Sequence, residues 1–168
     1  MLQKMFIISL FLFLSGCGAS SVAHLDSNPL SFDENEQLSM RHWEFVYLNT
    51  LDNDYYLLEG KALLLYENLP VKREWLHDLR LTVYLSDDQG AVLARDSQIY
   101  HTRRMRPGIE VPFSFQLDAG HIPAATDIFV AFGYSMWISE HRFLGGRHAR
   151  PLTGDIDAFQ IRQGPLLR

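Results

Sequence analysis

The feature that most constrains the fold of this chain is a strict alternation of apolar and polar residues between Leu79 and Ser86. Successive side chains of a β-strand point to opposite faces, so a period of two predicts a strand with one buried face. The same period recurs in residues 43–47, 111–117 and 128–136. No amphipathic helical pattern separates these stretches, which predicts an all-β chain.

Turn-forming residues separate the predicted strands. Residues 87–90, Asp-Asp-Gln-Gly, predict a hairpin because glycine readily takes the positive φ that a short loop requires. Residues 106–108, Arg-Pro-Gly, predict a second turn. Pro112 has no backbone N–H, which places its strand at a sheet edge or starts the strand there. Gly60, inside the apolar run 55–66, predicts a bulge or a close backbone approach.

Counting residues 95–102 and 158–162 as further extended segments gives about seven short strands. This pattern predicts an antiparallel immunoglobulin-like β-sandwich. The chain has 168 residues, which is typical of one domain that can bury a core without disulfides.

The first seventeen residues have the organisation of a secretory signal. Residues 1–4 carry one lysine, and residues 6–14 are apolar except for Ser9. Nine residues suit the hydrophobic region of a signal peptide and are too few to span a bilayer as a helix. Leu-Ser-Gly-Cys follows at 14–17.

This tetrapeptide resembles the lipobox of bacterial lipoproteins. The resemblance implies cleavage between Gly16 and Cys17 and transfer of diacylglycerol to the Cys17 sulfur. Cys17 is the chain's one cysteine, so acylation explains an otherwise unpaired thiol in an oxidising compartment. Gly18 rather than aspartate follows it, and the predicted location is the outer membrane, facing the periplasm.

The sequence predicts three segments. Residues 1–16 are a signal peptide. Residues 17–40 are a lipidated N-terminus and flexible tether, because small, polar and acidic residues predominate there and no period holds. Residues 41–168 are the β-sandwich.

Part of the sandwich resembles a known family of domains. An alternating strand, an acidic-glycine hairpin, a Pro-Gly turn and a Pro-Phe strand follow one another between residues 79 and 117. This quarter of the chain resembles the FxLYD-type immunoglobulin-like envelope domains, with Val83 and Ser86 at positions where that family has other residues. The resemblance implies a fold and assigns no site residue.

Charge indicates which partners to expect. The chain has fifteen Lys and Arg and twenty Asp and Glu, and this acidic balance argues against nucleic acid as a partner. Two local basic clusters oppose this acidic balance, and both are predicted to form an interaction surface on loops of a rigid scaffold. Their residues are Arg103, Arg104 and Arg106 in the first, and Arg142, Phe143, Leu144, Arg147, His148 and Arg150 in the second.

The expected function is therefore a non-catalytic binding or assembly module, held to the membrane by lipid and contacting another envelope protein or an envelope polymer. We expect no cofactor, no metal site and no catalytic residue, since no nucleophile–base pair or phosphate-binding glycine loop is present. The first alternative is a small-ligand module, and the second is an enzyme on a sandwich scaffold. The metal form of the small-ligand module would use histidines and methionines or a carboxylate pair, and its carbohydrate form would use tryptophans. The residues concerned are His101, Met105, Met136, His141 and His148, or Asp155 and Asp157, for metal, and Trp43, Trp75 and Trp137 for carbohydrate.

Overall fold

A computed structural model describes residues 21–69, 74–118, 120, 122, 127–140, 142 and, for the backbone, 158–163. Within them the chain forms ten strands and one 3₁₀ turn, Tyr66–Asn68. The strands are β1 (Ser27–Pro29), β2 (Asn35–Ser39), β3 (Trp43–Asp52), β4 (Tyr55–Leu64), β5 (Trp75–Ser86), β6 (Val92–Tyr100), β7 (Arg103–Arg104), β8 (Glu110–Asp118), β9 (Phe129–Ser139) and β10 (Ala158–Gln163).

The strands form two antiparallel sheets that pack face to face. The first sheet has the order β2-β3-β4-β8. The second has the order β1-β9-β5-β6, with β10 also pairing β9 and β7 also pairing β5. The predicted all-β antiparallel β-sandwich is confirmed, with ten strands in the described residues where the sequence predicts about seven. No helix in the described part of the chain has the length and apolarity that crossing a bilayer would require.

The core lies between the sheets and is centred on Phe132 of β9. Its ring stacks on Phe45 of β3 with centroids 4.2 Å apart. Tyr47 and Phe113 approach the same ring to 5.1 and 5.6 Å. All of these aromatic residues are buried, so one ring of the second sheet is enclosed by three rings of the first.

The predicted tether is too long, because residues 21–40 belong to the sandwich. β1 pairs with β9 and β2 pairs with β3. Val22, Leu25, Leu38 and Met40 are buried in the core. The described fold therefore begins at Ser21, which forms a bridge with Ala91. Only the stretch between Cys17 and Ser21 stays a predicted tether.

The predicted turns are confirmed. Gly90 and Gly108 have φ of 76° and 74°, which favours glycine at both turns. The Asp87 N–H donates to the Ala91 carbonyl across the hairpin at 3.1 Å. Gly60 marks a close backbone approach, and the pairing of β4 continues through it without a bulge.

Pro112 lies on an edge strand, as predicted, and side chains from the opposite sheet cover that edge. Tyr100 of β6 donates a hydrogen bond to the Pro112 carbonyl at 2.9 Å. Gln98 donates to the Ser114 carbonyl, and Asp96 accepts from the Gln116 N–H at 3.2 Å. Unpaired edge groups invite pairing with another chain, so these three side chains protect β8 from it.

Candidate functional site

Arg104 of the first predicted basic cluster and Arg142 of the second meet at one end of the second sheet, around Trp75. β7 pairs with the start of β5 and places Arg104 opposite Trp75. The Arg142 guanidinium carbon lies 5.7 Å from the centre of the Trp75 ring, within cation–π range. Residues 143–150, with the other predicted members of the second cluster, lie outside the described residues. The structure thus brings together segments that are about forty positions apart.

A groove of about 780 Å³ opens beside this cluster, between the ends of the two sheets. The first basic cluster forms one wall, and the start of β8 forms the other. Met105 is buried beneath it, and Ile109 and Tyr66 are half-buried. The groove therefore combines charged walls with an apolar floor, a combination common where proteins bind partners. Its lining residues are Tyr66, Glu74, His101, Thr102, Arg103, Arg104, Met105, Arg106, Pro107, Ile109 and Glu110.

The two carboxylates of the groove already have cationic partners. Arg104 contacts Glu74 at 2.9 Å, and Lys61 contacts Glu110 at 2.8 Å. All four side chains are about half exposed or more, so these pairs contribute little to stability. Because both glutamates are paired in this way, neither of them neutralises Arg103 or Arg106.

Arg103 and Arg106 keep their charge available. Arg103 lies over the Tyr100 ring at 5.5 Å, and its Nε donates a long, 3.5 Å hydrogen bond to the His101 carbonyl. Burial raises the pKa of Tyr100 to about 12 although Arg103 opposes the rise, so the phenol stays neutral. The Arg106 side chain makes no hydrogen bond or ion pair with the described residues. Both guanidinium groups can therefore receive a carboxylate or a phosphate.

A buried histidine that the sequence analysis missed fixes the backbone beside the groove. His77 Nε2 lies 2.7 Å from Ser139 Oγ, and its Nδ1 lies 3.2 Å from Thr102 Oγ1. A bulge between His77 and Arg80, with Asp78 at φ 45°, turns the imidazole to these partners. Ser139 is 1% exposed, so a substrate has no access to the serine–histidine pair. The contact ties Thr102, next to β7, to the sheet.

A second missed histidine joins the two sheets at the same end. His42 Nδ1 lies 2.5 Å from Tyr134 Oη, and both side chains are buried. Burial lowers the pKa of His42, with Arg41 adding to the effect, and burial raises the pKa of Tyr134 to about 12. Both groups are therefore neutral near pH 7, which fits a structural hydrogen bond. No local sequence pattern predicts this contact, because the two residues lie 92 positions apart.

The small-ligand alternative gains little from the geometry. Within the part of the chain that the structure describes, no three His, Cys, Asp or Glu side chains gather as metal ligands. His141, His148, Asp155 and Asp157 lie outside that part. Trp43 is fully buried in the core, so the tryptophans do not form one platform.

The chain is thus an all-β sandwich with an arginine-lined groove at one end. No protein-family model, no curated protein and no solved structure matches it. The likeness of residues 79–117 to FxLYD-type domains rests on its residues alone and stays a prediction.

Proposed function

We propose that this chain is a bacterial envelope lipoprotein, anchored through acylated Cys17, whose sandwich is a non-catalytic binding module. Its binding surface is the arginine groove, and its partner is an anionic segment of another envelope protein or an envelope polymer. The observation that carries the binding role is the groove of about 780 Å³ itself, whose lining includes Arg103 and Arg106 above the buried Met105. In a chain with net charge −5, a concentration of arginine with an aromatic ring favours an interface.

The anchoring role is supported by two features. The four residues 14–17 match the lipobox at the end of an apolar segment of the right length. The described fold starts at Ser21, four positions after Cys17 in the sequence. Each methylene of a bilayer-inserted acyl chain contributes about 0.8 kcal/mol, so two or three chains make release negligible.

Replacing Cys17 by serine is expected to move the protein from the membrane pellet to the soluble fraction or leave it uncleaved. The reason is that a hydroxyl does not replace the thiolate in acyl transfer. Fractionation checks the location, and mass spectrometry of the mature N-terminus checks the fatty acid. Absence of an acyl mass on wild-type Cys17, together with equal membrane recovery of wild type and Cys17→Ser, would contradict the anchoring proposal.

The binding role predicts a charge-dependent partner. With a photoreactive residue at exposed His101 in the groove, we expect a dominant crosslinked product in cells. Arg103→Glu with Arg106→Glu should reduce its yield about tenfold or more, since each charge-assisted contact contributes about 1.5–3 kcal/mol. Arg103→Lys with Arg106→Lys, which keeps both positive charges, is the control and should leave the product largely intact. Equal yields from all three proteins would contradict the groove as the binding surface.

A further inference from the structure

The two outer faces of the sandwich differ in charge. Side chains alternate along a strand, and register partners share a face, so the pairing assigns each residue to its face. The outer face of the first sheet carries five carboxylates and, among described residues, one lysine: Glu44, Asp52, Glu59, Glu110 and Asp118, with Lys61. The outer face of the second sheet carries Arg80 and Arg95 and, at described register positions, no carboxylate. Asp78 lies in the bulge between His77 and Arg80 and has no register partner on β9.

The basic face also carries exposed apolar side chains. Ile99 of β6 is 62% exposed and lies opposite Arg80. Trp137 of β9 is 36% exposed. It lies diagonal to Arg80, because the register partner of Arg80 is Ser135, two positions before Trp137 on the same face. Trp75 is diagonal to Trp137 on the same face, because Ser139 is its partner. Arginines interspersed with tryptophan and isoleucine are typical of protein surfaces that contact bilayer headgroups.

The chain enters the fold beside this face. Ser21 bridges Ala91, next to β6 of the second sheet. Ala23 packs against the hairpin so closely that a Cβ on Gly90 would lie 2.5 Å from its backbone nitrogen. Three residues separate Ser21 from Cys17, and the four Cα–Cα steps between them span at most about 14 Å. The twelve residues of β5 span about 40 Å, so an acyl group on Cys17 holds the sandwich directly against its bilayer.

We propose that the outer face of the second sheet lies on the anionic phospholipid headgroups of the bilayer that holds Cys17, through Arg80, Arg95, Ile99 and Trp137. The proposal rests on the lipid anchor of the proposed function. Charge complementarity selects this face, because the first sheet would present carboxylates to an anionic surface. The hairpin end is disfavoured for the same reason, since it carries Asp87 and Asp88. The arginine groove opens at the end of the sandwich and stays accessible from the side.

The test uses the full lipidated protein in vesicles of phosphatidylethanolamine and phosphatidylglycerol that contain a headgroup nitroxide quencher. One fluorophore is attached at Ser97→Cys, an exposed position of the basic face, or at Ser39→Cys, an exposed position of the opposite face. We expect quenching at position 97 to exceed that at position 39 severalfold. In vesicles of phosphatidylcholine alone the difference should shrink, because the attraction to arginine is lost.

Matched charge reversals give the second arm. Arg95→Glu and Lys61→Glu change the net charge equally and lie on opposite faces. Arg95→Glu should reduce quenching at position 97 at least severalfold, and Lys61→Glu should leave it unchanged. All variants should pellet with the vesicles through their lipid, which separates this proposal from the anchoring proposal. Loss of pelleting by wild type would defeat the anchor itself.

Equal quenching at positions 97 and 39, or stronger quenching at 39, would overturn the proposed orientation. The orientation would also be overturned if quenching at position 97 exceeded that at position 39 equally in anionic and phosphatidylcholine vesicles and was unchanged by Arg95→Glu. Circular dichroism of each variant confirms that the sandwich is intact before quenching is compared.

Discussion

Replacing Phe132 by alanine is expected to destabilise the sandwich by about 3–5 kcal/mol, because the substitution removes the ring at the centre of the core. The ring stacks on Phe45 at 4.2 Å and contacts Tyr47 and Phe113. These three partners belong to the first sheet and Phe132 to the second, so the cavity would open between the sheets. Urea unfolding followed by tryptophan fluorescence measures the loss.

Phe32→Ala is the matched control for this prediction. Phe32 is 41% exposed and contacts Tyr56 in a stacked pair at 5.8 Å. Removing this ring should cost about 1 kcal/mol, since it loses one aromatic pair at the surface. Similar losses for the two variants would show that Phe132 does not hold the sheets together.

The sequence predicts four of the longer strands because one face of each strand contacts the core, which places apolar residues at every second position. β3 and β8 alternate buried and more exposed positions at the places where the composition alternates. β5 and β9 are buried at most positions on both faces, so their period is visible in the composition alone. The edge position of β8 follows from Pro112, whose missing N–H excludes it from a central strand. In each case one residue type carries one physical requirement.

The short strands leave no such signal, which is why residues 21–40 resemble a tether. β1 has three residues and lies on an edge. β2 buries one apolar side chain, Leu38, between polar neighbours. Leu38 and Met40 keep the period of two and are the signal that could have revealed β2. Pairing with β9 and β3 makes these strands, and local propensity does not report such pairing.

The sequence predicts which charged residues belong to the candidate site, but it does not predict how the fold brings them together. The arginines stand out in an acidic chain, so both basic clusters could be named from composition. Their meeting depends on β7, a two-residue strand fixed by Trp75 and Leu76 of β5. His77 then holds Thr102 through the bulge at Asp78. Contacts across 25 or more positions decide this geometry, and no local pattern encodes them.

At Gly60, the absence of a Cβ atom allows the close spacing of two strands in the first sheet. It lies in the middle of β4, with Tyr47 as its partner on β3 and Phe113 as its partner on β8. A Cβ at this position would overlap the Val46 carbonyl oxygen and come within 2.8 Å of Tyr47 Cα. These are backbone atoms of a paired strand, so no side-chain rotation relieves the overlap, and β3 itself would have to shift.

Gly60→Ala is therefore expected to destabilise the protein by about 3 kcal/mol or more, at the upper end of overpacking effects. Gly108→Ala is the control, because a Cβ there meets nothing within 4 Å and only the positive φ of 74° opposes it. The control should lose about 1 kcal/mol. Urea midpoints compare the two variants. A loss at Gly60 no larger than that at Gly108 would mean that β3 and β4 are not held at this spacing.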